Sequence, residues 1–171
     1  VEPTVGSTLK AFGGIRMHPT IAKRAHANHA WLAKGGWAAI QSQFESLAKQ
    51  RSRPAEAADK AMERNAARLA DQLAGIGPKQ SRNLWQWLGL TRYEIPLDSR
   101  VCTWINQNLS IRVEIGKFVD DRYYEMVLDH VQALCQQAGV LPCIFDAAAF
   151  AFGEDKKPES KKRWMSRGRT Y

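Results

Sequence analysis

The stretch "GIGPKQSRNLWQWLGLTRYEIPLDSR", Gly75 to Arg100, decides how this chain folds. Two glycines flank one isoleucine, and a proline and a lysine follow. Leu84, Trp85 and Leu88 then recur at helical spacing as far as Gly89, and "TRYEIPLD" connects to a further helix that Asp98 or Ser99 would cap. A Gly-Ile-Gly turn is too tight for side chains at the glycine positions, so two helices must meet there closely. The second helix begins with unpaired backbone N–H groups at the positive end of its dipole, an arrangement that holds a phosphate without reading bases. By itself GxGxK is also an ordinary helix–helix turn.

Working outward, Pro54 suits the first turn of a helix over "PAEAADKAMERNAARLADQLA", whose stripe Ala66, Leu69, Ala70 and Leu73 ends at Gly75. Upstream, Trp37, Ile40, Phe44 and Leu47 mark one apolar helical face, and residues 1–20 read as an irregular lead-in. Downstream, Val101, Trp104 and Ile105 form the face of the capped helix. Residues 110–118 alternate weakly, as a short extended piece would. Tyr124, Val127, Leu128, Val131 and Leu134 mark a clear amphipathic helix, and Pro142 opens a last apolar one, "PCIFDAAAFAF". Residues 153–171 are polar and aperiodic, with seven Lys or Arg against three acids, and read as a basic tail able to follow DNA. Strand signals are almost absent and no repeat is visible. The expected fold class is all-α.

The 171 residues are 44% hydrophobic with six tryptophans, enough for a packed interior, and Trp31, Trp37, Trp85, Trp87 and Trp104 are expected in the core. The formal net charge of +8 points to a polyanionic partner. The three cysteines form no CxxC pair, which argues against zinc or an iron–sulfur cluster and suits reduced thiols in a cytoplasmic setting. His18, His26, His29 and His130 have no identifiable ligand partners, so no metal site is expected from them. No apolar run approaches the ~20 residues of a membrane span. The start "VEPTVGSTLK" lacks the apolar segment of a signal peptide. The chain is expected to be an intracellular, nucleoid-associated monomer with no membrane contact.

Gly75, Ile76, Gly77 and Lys79, taken with Pro96 and Asp98 of "IPLD", resemble the helix-hairpin-helix-GPD superfamily of DNA glycosylases, and most closely its lysine-containing 8-oxoguanine DNA glycosylases. The resemblance is strong over about residues 65–108 and weaker over 119–152. It implies a single helical glycosylase domain over 1–152, with the helix-hairpin-helix at about 65–88 and the GPD loop at about 91–100. It also implies two helical subdomains with a cleft between them. The double-stranded DNA substrate would have one base flipped out.

Residue by residue, the resemblance makes Lys79 the nucleophile and Asp98 the essential carboxylate. Gly75, Ile76 and Gly77 would donate backbone N–H groups to a DNA phosphate, and Arg100 would contact another. Carbonyls such as those of Leu73 and Ile76 would hold a K⁺ or Na⁺ ion, with no further cofactor required. Asn83, one turn after Lys79, would line the base pocket with Asp146 and Phe150. The family's usual residue at the Asp146 position is glutamine, a departure that bears on the choice of base.

The chemistry those groups offer is specific. An amine at Lys79 attacks the sugar C1′ and forms a Schiff base that permits later β-elimination, while Asp98 stabilises the developing oxocarbenium charge. A free lysine titrates near about 10.4. Burial, the helix dipole and the arginines at 82 and 100 would lower that value, and Asp98 would raise it. A carboxylate at Asp146 accepts from the N1–H and N2–H₂ donors of guanine, so 8-oxoguanine is the first expectation. A modified cytosine, as in foreign DNA, remains an alternative through its amino group. A non-catalytic helix-hairpin-helix DNA-binding module is the other alternative.

Overall fold

A computed structural model describes residues 1–13, 15 and 17–155. Among them every regular element is helical, so the all-α expectation holds. Eight α-helices follow in order: α1 (Glu2–Phe12), α2 (His18–Trp31), α3 (Trp37–Arg51), α4 (Asp59–Ala70), α5 (Pro78–Trp87), α6 (Ser99–Asn108), α7 (Asp121–Gln137) and α8 (Pro142–Asp155). The chain divides into two compact units, Val1–Glu94 and Ile95–Tyr171. No single helix among the described residues is long and apolar enough to cross a membrane.

In the first unit, α4 presents alanines inward. Ala66 and Ala70 are fully buried against Leu47 of α3 and Trp85 of α5, and Leu90 closes the cluster. Small side chains let the helix axes approach, and the Trp85 indole N–H donates to the Ala66 carbonyl at 2.8 Å. Helix α2 continues into α3 through a bend at Leu32–Gly36. Gly36 is needed there by proximity: a Cβ at that position would stand 2.4 Å from the Trp31 ring.

The second unit is built around α7, whose Asp120 cap accepts from the N–H groups of Arg122 (2.8 Å) and Tyr123 (3.2 Å). Tyr124, Leu128 and Val131 meet Ile95, Val101 and Ile105 in one continuous apolar cluster. Trp104 packs edge-on against Phe145 of α8, ring centres 4.9 Å apart.

Several local expectations are corrected. Residues 2–12 are helical rather than irregular, because Pro3 occupies the first turn, where its missing N–H is harmless. The helix expected from Pro54 starts at Asp59. Its carboxylate instead organises residues 53–59, accepting from the Glu56 N–H at 2.9 Å and from Arg53 at 2.5 Å. Residues 110–118 make no strand and end in a short 3₁₀ turn at Ile115–Val119. Trp85 and Trp104 are in or against the cores as expected, but Trp37 and Trp87 are 65% and 82% exposed. Leu134 is exposed, and the stripe on α7 drifts to Cys135 instead. The expected tail begins later than residue 153, since α8 runs to Asp155; the rest of it lies outside the described residues.

Candidate functional site

The residues singled out from the sequence fall in both units. In the first, α4 tightens after Ala70, with the N–H groups of Gln72 and Leu73 donating to carbonyls three residues back. The Ile76 N–H then donates to the Leu73 carbonyl at 2.9 Å across Ala74 and Gly75. Gly75 has φ +89°, the left-handed region a type II turn requires at its third position, so glycine is demanded by backbone geometry. Gly77 is extended and caps α5, with Pro78 in the helix's first turn.

This geometry corrects one expectation. The Ile76 N–H is already spent inside the turn, so it is not a phosphate donor. Among the described residues the Gly75 and Gly77 N–H groups donate to no acceptor. The Leu73 carbonyl, one of two proposed cation ligands, keeps a single lone pair after accepting from Ile76.

Lys79 lies in the first turn of α5, and Asn83 stands one turn later on the same face; both are half-buried. The opposite face of α5 is buried through Ser81, Arg82 and Trp85. Arg82 is not an isolated cation beside Lys79: its Nε donates to Glu94 at 2.9 Å and its Nη1 to the Pro78 carbonyl at 2.9 Å. Among the described residues of its own unit, the Lys79 amine has no hydrogen-bond or ion-pair partner.

A residue not singled out in advance holds the neighbouring connector. Glu63 of α4 is fully buried and accepts from the N–H groups of Arg92 (3.0 Å), Tyr93 (2.7 Å) and Glu94 (2.9 Å), and from the Gln50 amide at 3.0 Å. Burial pushes the Glu63 carboxyl above its ordinary 4.5 and outweighs those N–H donors, which pull it down. The sequence did carry a signal: Asp59, Glu63, Ala66 and Ala70 share one helical face, so the carboxylate had to be inside.

In the second unit Asp98 caps α6. Its Oδ1 accepts from the N–H groups of Arg100 (2.8 Å) and Val101 (3.2 Å), and its Oδ2 from the Arg100 guanidinium, with Nε at 2.8 Å. Burial alone would raise the Asp98 pKa; the Arg100 guanidinium and the two N–H donors overcome it and hold the carboxyl below its ordinary value. The same carboxylate and, more strongly, burial push the Cys102 thiol up to about 11. Arg100, expected at a phosphate, is thus paired with Asp98, and its guanidinium also lies 4.1 Å from the centre of the Phe150 ring. Asp98, Arg100 and Phe150 therefore form one group. Asp146 is half-buried one turn before Phe150, a residue that is 45% exposed.

A separate apolar cleft of about 530 Å³ opens between α6, α7 and α8, lined by residues such as Trp104, Val131 and Phe145. Neither Asp146 nor Phe150 lines it. Comparison with protein-family models, with curated proteins and with solved structures finds no match to this chain.

Proposed function

We propose that the chain is a DNA glycosylase of the helix-hairpin-helix type with associated abasic-site lyase activity. The observation that carries this reading is local to α4 and α5. A left-handed glycine turn offers two unspent backbone N–H groups, and a half-buried lysine with no carboxylate partner in its unit stands directly behind it. A turn of that kind grips a phosphate and leaves the amine beside the sugar–phosphate backbone.

The assigned chemistry is covalent. The Lys79 amine attacks C1′, the bond from C1′ to the base nitrogen breaks, and the base departs with the bonding electrons. The sugar ring then opens to a Schiff base on Lys79, and loss of a C2′ proton expels the 3′ phosphate. Asp98 stabilises the positive charge that develops on the sugar. Extruding the base costs a few kcal/mol of lost stacking and pairing. Asp146 and the exposed Phe150 ring are assigned to the base, the first as acceptor and the second as stacking surface. This favours 8-oxoguanine, with a modified cytosine as the competing substrate. A monovalent cation at the Leu73 and Ile76 carbonyls fits only in part, because one of those oxygens already accepts a hydrogen bond, and no step depends on it.

One observation favours a second reading, a non-catalytic DNA-binding module. Both oxygens of Asp98 are used as a helix cap and an ion pair, a complete structural role. Borohydride trapping on duplexes carrying 8-oxoguanine, an abasic site or modified cytosines separates the two readings. Glycosylase–lyase chemistry predicts a covalent adduct on at least one duplex and none with Lys79→Gln. Absence of adduct on all of them, or an adduct that survives Lys79→Gln, overturns the nucleophile assignment.

A further inference from the structure

Helix α2 reaches the glycine turn with three residues on one face. The Asn28 carboxamide brackets the backbone of Ala74, its Oδ1 accepting from the Ala74 N–H at 2.6 Å and its Nδ2 donating to the Ala74 carbonyl at 3.2 Å. The Trp31 indole N–H donates to Gln72 at 3.2 Å. Arg24 lies directly over Gly75, so closely that a Cβ there would stand 2.7 Å from its Cδ and 3.0 Å from its Nη1. The glycine thus does two things: it allows the left-handed turn, and it makes room for a guanidinium.

Along the sequence, the charge on either side of Arg24 has one sign. From Pro3 to Phe44 the sequence has no aspartate or glutamate, against Lys10, Arg16, Lys23, Arg24 and Lys34. Arg24 is exposed, and among the described residues it makes no ion pair. Its guanidinium stands beside a turn whose Gly75 and Gly77 N–H groups are also unspent. Three donor groups, one guanidinium and two backbone N–H groups, thus belong to this turn and its neighbour Arg24, with no acceptor supplied by the described chain.

We propose that α2 is a second grip on the DNA backbone: Arg24 donates to a phosphodiester oxygen at the glycine turn, and Asn28 is a positioning residue that fixes the turn for that contact. The inference rests on DNA being the ligand, as in the proposed function, but not on any chemical step. A guanidinium is suited to the task because its planar donors match phosphate oxygens and its charge is permanent.

The test is fluorescence anisotropy of the full chain on a labelled duplex carrying a stable abasic-site analogue, from about 50 to 200 mM KCl. Arg24→Ala is expected to weaken binding roughly fivefold, the worth of one exposed ionic contact. The slope of log affinity against log salt should become shallower by about 0.9. Arg24→Lys should restore the slope and only part of the affinity. Asn28→Ala, measured well below its melting temperature, should weaken binding with the slope unchanged, whereas a merely structural role would lower the melting temperature alone. Wild-type affinity and slope in Arg24→Ala would overturn the contact, and unaltered affinity in Asn28→Ala would overturn the positioning role. No binding by the wild-type chain would overturn the DNA reading itself, and this inference with it.

Discussion

The first unit builds its small apolar cluster from two alanines, two leucines and a tryptophan, and buries Glu63, Glu94 and Arg82 almost completely beside it. The second buries a broad run of aliphatic and aromatic side chains around α7, and Asp98, near its edge, is paired and capping. The connector between α5 and α6 shows the contrast within a few residues. Its backbone at 92–94 is held by one buried carboxylate, and its backbone at 95–97 by a buried tyrosine hydroxyl, which accepts from the Leu97 N–H at 2.6 Å. A segment without helix or strand must satisfy its backbone donors somehow. In the first unit a charge does so at the expense of desolvation; in the second a neutral hydroxyl does so within an apolar core.

The largest effects are expected from Glu63→Leu in the first unit and Leu128→Ala in the second. Losing the carboxylate leaves three backbone N–H groups without their acceptor in a buried place, a cost of about 3–5 kcal/mol. Truncating Leu128, fully buried in the second unit, should cost about 2–5 kcal/mol through lost transfer energy and a cavity. Urea unfolding at neutral pH measures both. A loss below about 1 kcal/mol for Glu63→Leu would mean the connector's donors find other acceptors, and the contrast between the units would fall.

A smaller effect is expected at the glycine turn. Gly75→Ala forces an L side chain to φ +89° and pushes Arg24 aside, which should cost about 1–2 kcal/mol. Gly116→Ala in the second unit has open space and no unusual φ, so its effect should stay within about 0.5 kcal/mol. Thermal melts of the pair measure the difference. Equal melting temperatures would show that the turn tolerates a Cβ and that Arg24 does not depend on its absence.

These effects also mark what could be read in the sequence. Periodicity located α5, α6 and α7 because each buries one regular apolar stripe, and Gly75 stood out because a tight turn leaves no alternative. The Asp98 cap was visible because capping is a local contact between neighbours in sequence. Asn28 was not visible: its partner Ala74 is far along the chain, and an asparagine within a helix looks like any solvated one. The use of the Ile76 N–H is hidden for a related reason, since which donors a turn consumes depends on its type, and the type follows from the φ of Gly75. Trp37 and Trp87 were expected inside on composition, but periodicity fixes the neighbours of a side chain along its helix and not what lies across from it.

The smallest effect concerns charge. Asp98 has a folded pKa below its ordinary 3.8, so its contribution to stability is complete above about that pH and is lost as pH falls through the folded value. Glu63, whose pKa is raised above 4.5, behaves oppositely: acidification through its folded value relieves a buried charge and favours the fold. Asp98→Asn keeps a capping acceptor but loses the ionic bond to Arg100, a difference of about 0.5–1 kcal/mol at pH 7, near the lower figure because solvent reaches the guanidinium. Urea unfolding from pH 7 downward should show the variant and wild-type stabilities converging below pH 3.8, because protonation removes from the wild type what the substitution has already removed. Curves that stay parallel through that range would mean the carboxylate stabilises α6 as a cap alone. The same variant also bears on function. Base release reduced far beyond what this small stability loss can account for would place the Asp98 charge in the chemistry, and a proportionate reduction would leave it as the cap of α6.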